Sequence, residues 1–264
     1  MGKCSKALVS CVVAGLSVVG FSVPSSAVVS TTALVYGDSL TFESRSHVVN
    51  EVTAHAGWAV AVHAYPNTAP CDWIPWLAGD LAVYQPSIFA IETVGNYARP
   101  CMVDPQGVAL VPGSTSYYTK LQDDLATIMQ IVHAAGAQIV FVNGPPMLDA
   151  AWNARVKKIN AVGRSLARQL HGVGVSGKPR SAVSTGGQYA TYKTCLSNET
   201  SAMGCVNGQI AIRTLTGIQT GIHFCPDGLG PNYPFACDMY SSGEYRWGKA
   251  IGQVLIAPPA PFLP

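Results

Sequence analysis

Two spacings of apolar residues alternate along this chain. Short runs rich in β-branched and aromatic residues stand at Thr31–Tyr36, Trp58–Tyr65, Ser87–Val94 and Gln138–Val142, and each reads as a strand. Between them the apolar positions recur every three or four residues. Phe42–His55 carries Val48, Val49 and Val52 on one side, and Trp73–Tyr84 follows the second strand. Tyr117–Ala135 repeats Leu121, Leu125, Ile128 and Val132 at helical spacing before Gly136, and Ala151–His171 closes the series. A Pro/Gly-rich loop, Pro100–Ser114, interrupts the alternation once. Strand then helix, four times over, predicts a parallel sheet covered on both faces.

The pattern dissolves between Gly172 and Asp238, where Gly, Ser, Thr, Asn and Cys dominate. Loops and short strands held by disulfides are expected there. Ser242–Ile256 reads as a closing helix and Pro258–Pro264 as an extended tail. No internal repeat and no long linker divides the chain, so residues 28–264 are expected to form one domain.

The N-terminus has a different character. Lys3 and Lys6 precede the apolar run Ala7–Val23, which ends in Pro24-Ser25-Ser26-Ala27, the layout of a secretion signal over residues 1–27. The run is too short and too interrupted for a membrane span, and no later segment is long enough. Without Lys3 and Lys6 the chain holds 14 basic and 14 acidic residues, a balance with no nucleic-acid footprint. The densest basic stretch, Arg155 to Lys158 with Arg164 and Arg168, reads as the wet face of a helix. Two of the eight cysteines lie in the leader. The remaining Cys71, Cys101, Cys195, Cys205, Cys225 and Cys237 are an even set suited to an oxidising compartment. Sequence neighbours suggest the pairs 71–101, 195–205 and 225–237, and a zinc site lacks the close Cys-x-x-Cys it needs.

The chemistry concentrates where the first strand stops. Leu34-Val35-Tyr36 runs into Gly37-Asp38-Ser39-Leu40, so a hydroxyl falls at the N-terminus of the following helix, where N–H groups and the helix dipole favour negative charge. Asn67 and Asn96 follow the second and third strands at equivalent ends, the edge on which open parallel sheets build sites. Acyl transfer needs a nucleophile and donors aimed at an oxyanion. Ser39 with its own amide, the Asn67 amide and the Asn96 side chain offer that set. Among six histidines, five fall within or beside regular elements, as packing or surface residues. His223, in Thr220-Gly221-Ile222-His223-Phe224-Cys225-Pro226, is the best general base. Trp73, Trp76, Tyr97, Tyr117 and Tyr118 read as packing rather than a groove.

Taken together, these blocks resemble those of a secreted actinobacterial SGNH, or GDSL, hydrolase. The resemblance rests on Gly37-Asp38-Ser39-Leu40, on Asn67-Thr68-Ala69 with Cys71-Asp72-Trp73, on Gly95-Asn96 with Arg99-Pro100-Cys101-Met102, and on Gly221 to Pro226. It implies a three-layer α/β/α sandwich with a central parallel sheet of flavodoxin-like type. It also implies hydrolysis of acyl or acetyl esters of lipids or glycans through an acyl-serine, without a cofactor, outside the cell or in its envelope. Two departures stand out. Asn67 occupies the place of a glycine, and asparagine tolerates left-handed backbone angles. Thr220 occupies the place of the acid that orients the histidine. The expectation is that the Thr220 carbonyl accepts the imidazole Nδ1–H in its stead, with Asp227 and Glu244 as alternatives. Two other readings share the same fold, namely acyl transfer to a sugar acceptor and a catalytically impaired binding protein.

Overall fold

The computed structural model describes residues 31–175, 177–217, 220–226, 237 and 239–257. The expected leader, the C-terminal tail and Asp227 lie outside the described residues.

Strands β1 (Thr31–Gly37), β2 (Trp58–Ala64), β3 (Ile88–Thr93), β4 (Gln138–Asn143) and β5 (Val173–Val175) form one parallel sheet in the order β2-β1-β3-β4-β5. Side chains of successive strand residues point to opposite faces, and the core divides accordingly. Ala33, Val35, Ile88, Ala90, Val140 and Val142 face one way, against helix α1 (Ser39–Thr53) and helix α6 (Ser242–Ile256). Leu34, Tyr36, Phe89, Ile91, Ile139 and Phe141 face the other, against α2 (Pro70–Tyr84), α3 (Thr115–Ala134) and α4 (Ala150–Gln169). This is the expected three-layer α/β/α sandwich. Gly248 and Gly252 let α6 press onto α1, because a Cβ at either would overlap Ser44 or Glu51. That contact seats α1 firmly on the sheet.

The expected strands and helices all form, with ends shifted by a few residues. The larger differences are two. Helix α1 begins at Ser39 rather than Phe42, because the Asp38 side chain caps it by accepting the Leu40 N–H at 3.2 Å. The stretch after Gly172 supplies a fifth sheet strand, β5, and a short helix α5 (Gly177–Ala182) that the pattern did not reveal. Three residues, one of them glycine, are too few for a periodic signal. Beyond α5 come two small ribbons, Ser184–Thr185 with Gln188–Tyr189 and Tyr192–Thr194 with Gln209–Ala211. The cysteines pair as 71–101, 195–205 and 225–237.

Candidate active site

In a sheet ordered 2-1-3-4-5 the connections leave β1 and β3 toward opposite faces, opening a crevice at their carboxyl ends. Ser39 follows β1 and Asn96 follows β3, so the two expected site segments flank that crevice. The turn between β1 and α1 is tight. A Cβ on Gly37 would overlap the Thr41 side chain, so only glycine lets the helix start this close to the strand. Ser39 lies buried on the first turn of α1.

Asp38 fastens this turn to its neighbour. Its Oδ1 caps α1, and its Oδ2 accepts the Val94 N–H at 2.8 Å, one residue before Gly95-Asn96. Glu92, on β3, lies beside it. Thr41 Oγ1 donates to Glu92 Oε2 at 2.9 Å, and the buried carboxyl faces Asp38. Burial first, and the neighbouring Asp38 charge second, hold the Glu92 carboxyl well above the usual carboxylate range. Burial also raises Asp38, opposed by its two N–H donors and by the charge of His223. Asp38, with two N–H donors, is the better placed of the two to carry the charge.

The loops after β2 and β3 are stitched together. Asn96 Nδ2 donates to the Thr68 carbonyl at 3.0 Å. Arg99 binds both oxygens of Asp72 at 2.9 and 3.1 Å, and the 71–101 disulfide joins the same two loops. Asn67 has φ 57°, the left-handed conformation for which glycine is the usual residue. Asn96 retains a second Nδ2 hydrogen beyond the one given to Thr68. Trp73 and Tyr117 are buried packing residues, whereas Trp76 and Tyr97 are exposed.

The histidine segment has no regular structure and is held by tethers instead. Thr214 N–H donates to the His223 carbonyl at 2.9 Å, and Ser241 Oγ to the Phe224 carbonyl at 2.6 Å. Arg213, wholly buried, donates to the carbonyls of Ile222 at 2.8 Å and Pro146 at 2.9 Å, and its guanidinium lies over the Phe224 ring. Burial pushes the Arg213 pKa down to about 10, against the opposing attraction of Tyr189 and Glu43.

The residue that orients the imidazole is one the sequence reading missed. His223 Nδ1 pairs with Glu43 Oε1, and Glu43 Oε2 accepts the Phe224 N–H at 2.9 Å. Both side chains are buried. Thr220 does not play the expected part. It sits in an exposed turn whose hydroxyl and N–H both bond to the Gly217 carbonyl, at 2.7 and 3.2 Å, and Nδ1 is taken by the carboxylate. A charged acceptor one helical turn from Ser39 is the stronger partner. Glu244, the other alternative within the described residues, starts α6 with its Oε1 against the 225–237 disulfide, 2.7 Å from Cys237 Sγ. The signal for Glu43 was present: Ser39 and Glu43 are four apart, and residues so spaced share a helix face. Placing the helix start at Phe42 concealed it.

No protein-family model matches the chain, and no curated protein matches it. Solved structures do. The alpha/beta hydrolase LAE5 from the metagenome of Lake Arreo is 13% identical, with 59% of this chain and 79% of that one covered at a TM-score of 0.46. An acetylxylan esterase, Axe2 from Geobacillus stearothermophilus, is 13% identical over 58% of this chain and 78% of its own, at 0.45. TesA is 19% identical over 59% and 83%, at 0.44. None of these three reaches a TM-score of 0.5, and none of their chemistry is carried over to this chain.

Proposed function

We propose that this chain is a serine esterase of the SGNH/GDSL kind, exported from the cell, which hydrolyses acyl or acetyl esters of lipids or glycans. Ser39 Oγ attacks the ester carbonyl carbon while His223 Nε2 takes its proton. Glu43 holds Nδ1–H, fixing the tautomer and stabilising the imidazolium that forms. The oxyanion is met by the Ser39 and Asn67 amides and by the second Nδ2 hydrogen of Asn96. Collapse of the tetrahedral adduct breaks the ester C–O bond, and the departing alcohol takes the proton from Nε2. Water then attacks the acyl-serine, giving its proton to Nε2. The Ser39 Oγ–acyl bond breaks, the proton returns to Oγ, and the carboxylic acid leaves. No cofactor enters this scheme.

The observation that carries the reading is the Glu43–His223 pair, with its carboxylate one turn along α1 from Ser39. The resemblance of the four sequence blocks adds to it. The case for a catalytically impaired binding protein rests on Thr220, reinforced by Asn67, and the Glu43–His223 pair weighs against the first of these. Export is supported by the leader pattern and by three disulfides. Among the described residues, no helix is long and apolar enough to cross a membrane.

The test is covalent labelling of the purified chain with a fluorophosphonate probe, alongside Ser39→Ala and His223→Ala. Labelling of the native protein that disappears in both variants supports the esterase. An unlabelled native protein, or labelling that survives in Ser39→Ala, overturns it. Product analysis with and without a sugar acceptor then separates hydrolysis from transfer.

A further inference from the structure

A polar cavity of about 180 Å³ opens at the carboxyl end of β4 beside α4, and Ser39 is not among its lining residues. Its chemistry comes from Asn143, Asn153, Lys157, Asn160, Arg164 and Arg180, and no carboxylate is among its lining residues. Arg164 and Lys157 belong to the basic stretch that the sequence reading assigned to the solvated face of a helix. Lys157 is exposed, but Arg164 turns inward and is half-buried.

The site is built rather than incidental. The Arg164 stem crosses the backbone of β5 at Gly174, where any Cβ would overlap it, so glycine makes room for this one side chain. Arg180 is anchored by donating to the Gly187 carbonyl at 2.6 Å. Burial, and after it repulsion from Arg168 and Arg180, lowers the Arg164 pKa. Crowding like charges where water is partly excluded costs free energy that an anion between them would offset.

The neutral groups form the wall and add one donor. Asn160 exchanges two 2.9 Å bonds with the Gly144 N–H and carbonyl, so it serves as wall. Asn153 Oδ1 accepts the Met147 N–H at 3.2 Å, which leaves its Nδ2 as donor. Asn143, at the carboxyl end of β4, is 1% exposed, and its Oδ1 has no hydrogen-bond partner. That unpaired atom is an acceptor, so Asn143 shapes the floor of the cavity and the grip on an anion falls to the cations and to Asn153 Nδ2. At roughly 30 Å³ per water, the cavity has room for an oxyanion and accompanying waters.

We propose that this cavity binds a small oxyanion of the phosphate, sulfate or carboxylate class, gripped by Arg164 and Arg180 with Lys157 at the mouth. Guanidinium forks match the paired oxygens of such ions. The ion is either free or a charged group on a substrate. The second source is worth testing because Pro146, which lines this cavity, also receives a hydrogen bond from Arg213, which holds the Ile222 carbonyl next to His223.

Calorimetric titration of the full chain with inorganic phosphate at low ionic strength tests this, with chloride at matched ionic strength as control. Saturable binding to one site is expected, unchanged in Ser39→Ala and weakened about tenfold or more in Arg164→Gln and Arg180→Gln. Lys157→Gln, at an exposed position with no folding risk, should weaken it several-fold. Phosphate heats no different from chloride, or affinity unchanged in Lys157→Gln and in each folded arginine variant, overturn the proposal. Hydrolysis of a neutral acetyl ester and of one bearing a remote phosphate identifies the source. A loss in Arg164→Gln confined to the charged ester means that the anion belongs to substrate; an equal response of both esters means that it binds free. Binding is read without turnover, so failure of the esterase reading leaves this test intact.

Discussion

Ser39 stands on the first turn of a helix that springs from a buried central strand, whereas His223 stands in a stretch without helix or strand. The nucleophile side is held by continuous secondary structure: β1, the Gly37 turn, the Asp38 cap and the press of α6 on α1. The histidine side is held by separate links, from Arg213, Thr214, Ser241, the 225–237 disulfide and Glu43. Local chemistry specifies most of the first half, with only the press of α6 reaching it from far along the chain, whereas long-range contacts specify the second. Damage should therefore spread differently through the two halves. On the histidine side a single tether can be cut without unmaking the sheet.

The sharpest way to break this contrast is at Glu43, which belongs to both halves. Glu43→Gln should lower kcat by about 10⁴-fold, the scale seen when an orienting carboxylate becomes an amide. Thr220→Val should leave kcat within a few-fold of native. Steady-state ester hydrolysis measures both, and a large loss in Thr220→Val with activity kept in Glu43→Gln would restore the carbonyl reading. Next comes Arg213→Met, which strips the carbonyls of Ile222 and Pro146 of their donor. A loss of about 3 kcal/mol is expected in urea unfolding, with partial recovery in Arg213→Lys. If the tethers act one by one, kcat falls along with it while KM moves little.

The smallest effect concerns the nucleophile side alone. Folding raises the Glu92 pKa, so the folded chain keeps a proton that the unfolded chain has released. Stability therefore falls as pH climbs from the ordinary carboxylate range toward the raised value, and the full cost is felt above it. Glu92→Gln carries no such titration. Its melting temperature should decline less than the native one between about pH 5 and 8, a window starting just above the unfolded carboxyl value. Parallel curves for the two proteins would show that Glu92 stays neutral, or ionises, equally in both states.

How much of this was readable beforehand follows the same division. The four long strands, the helices between them and the Gly37–Ser39 turn were visible because each is written in neighbouring residues. Asn67 was read correctly as a residue able to take a positive φ, and the turn indeed has φ 57°. β5 escaped because its partner Val140–Val142 is more than thirty positions away and supplies what three residues cannot. Glu43 and Arg213 escaped for a related reason. The spacing of Glu43 from Ser39 was legible but its pairing with His223, 180 positions on, was not, and Arg213 sits in a polar stretch where a buried cation leaves no periodic trace. Arg164 was misjudged because helical spacing cannot say that a glycine on another element has made room for it.

One consequence follows from Ser39 and Glu43 sharing a single turn of α1. The separation of the Ser39 and Glu43 backbones is set by the pitch of one helix, and does not depend on how loops settle. If α1 tilts or slides against the sheet, both travel as a rigid pair. Only the imidazole has to find its place from outside, and the Phe224 amide, docked on the same carboxylate, gives it a fixed point of entry.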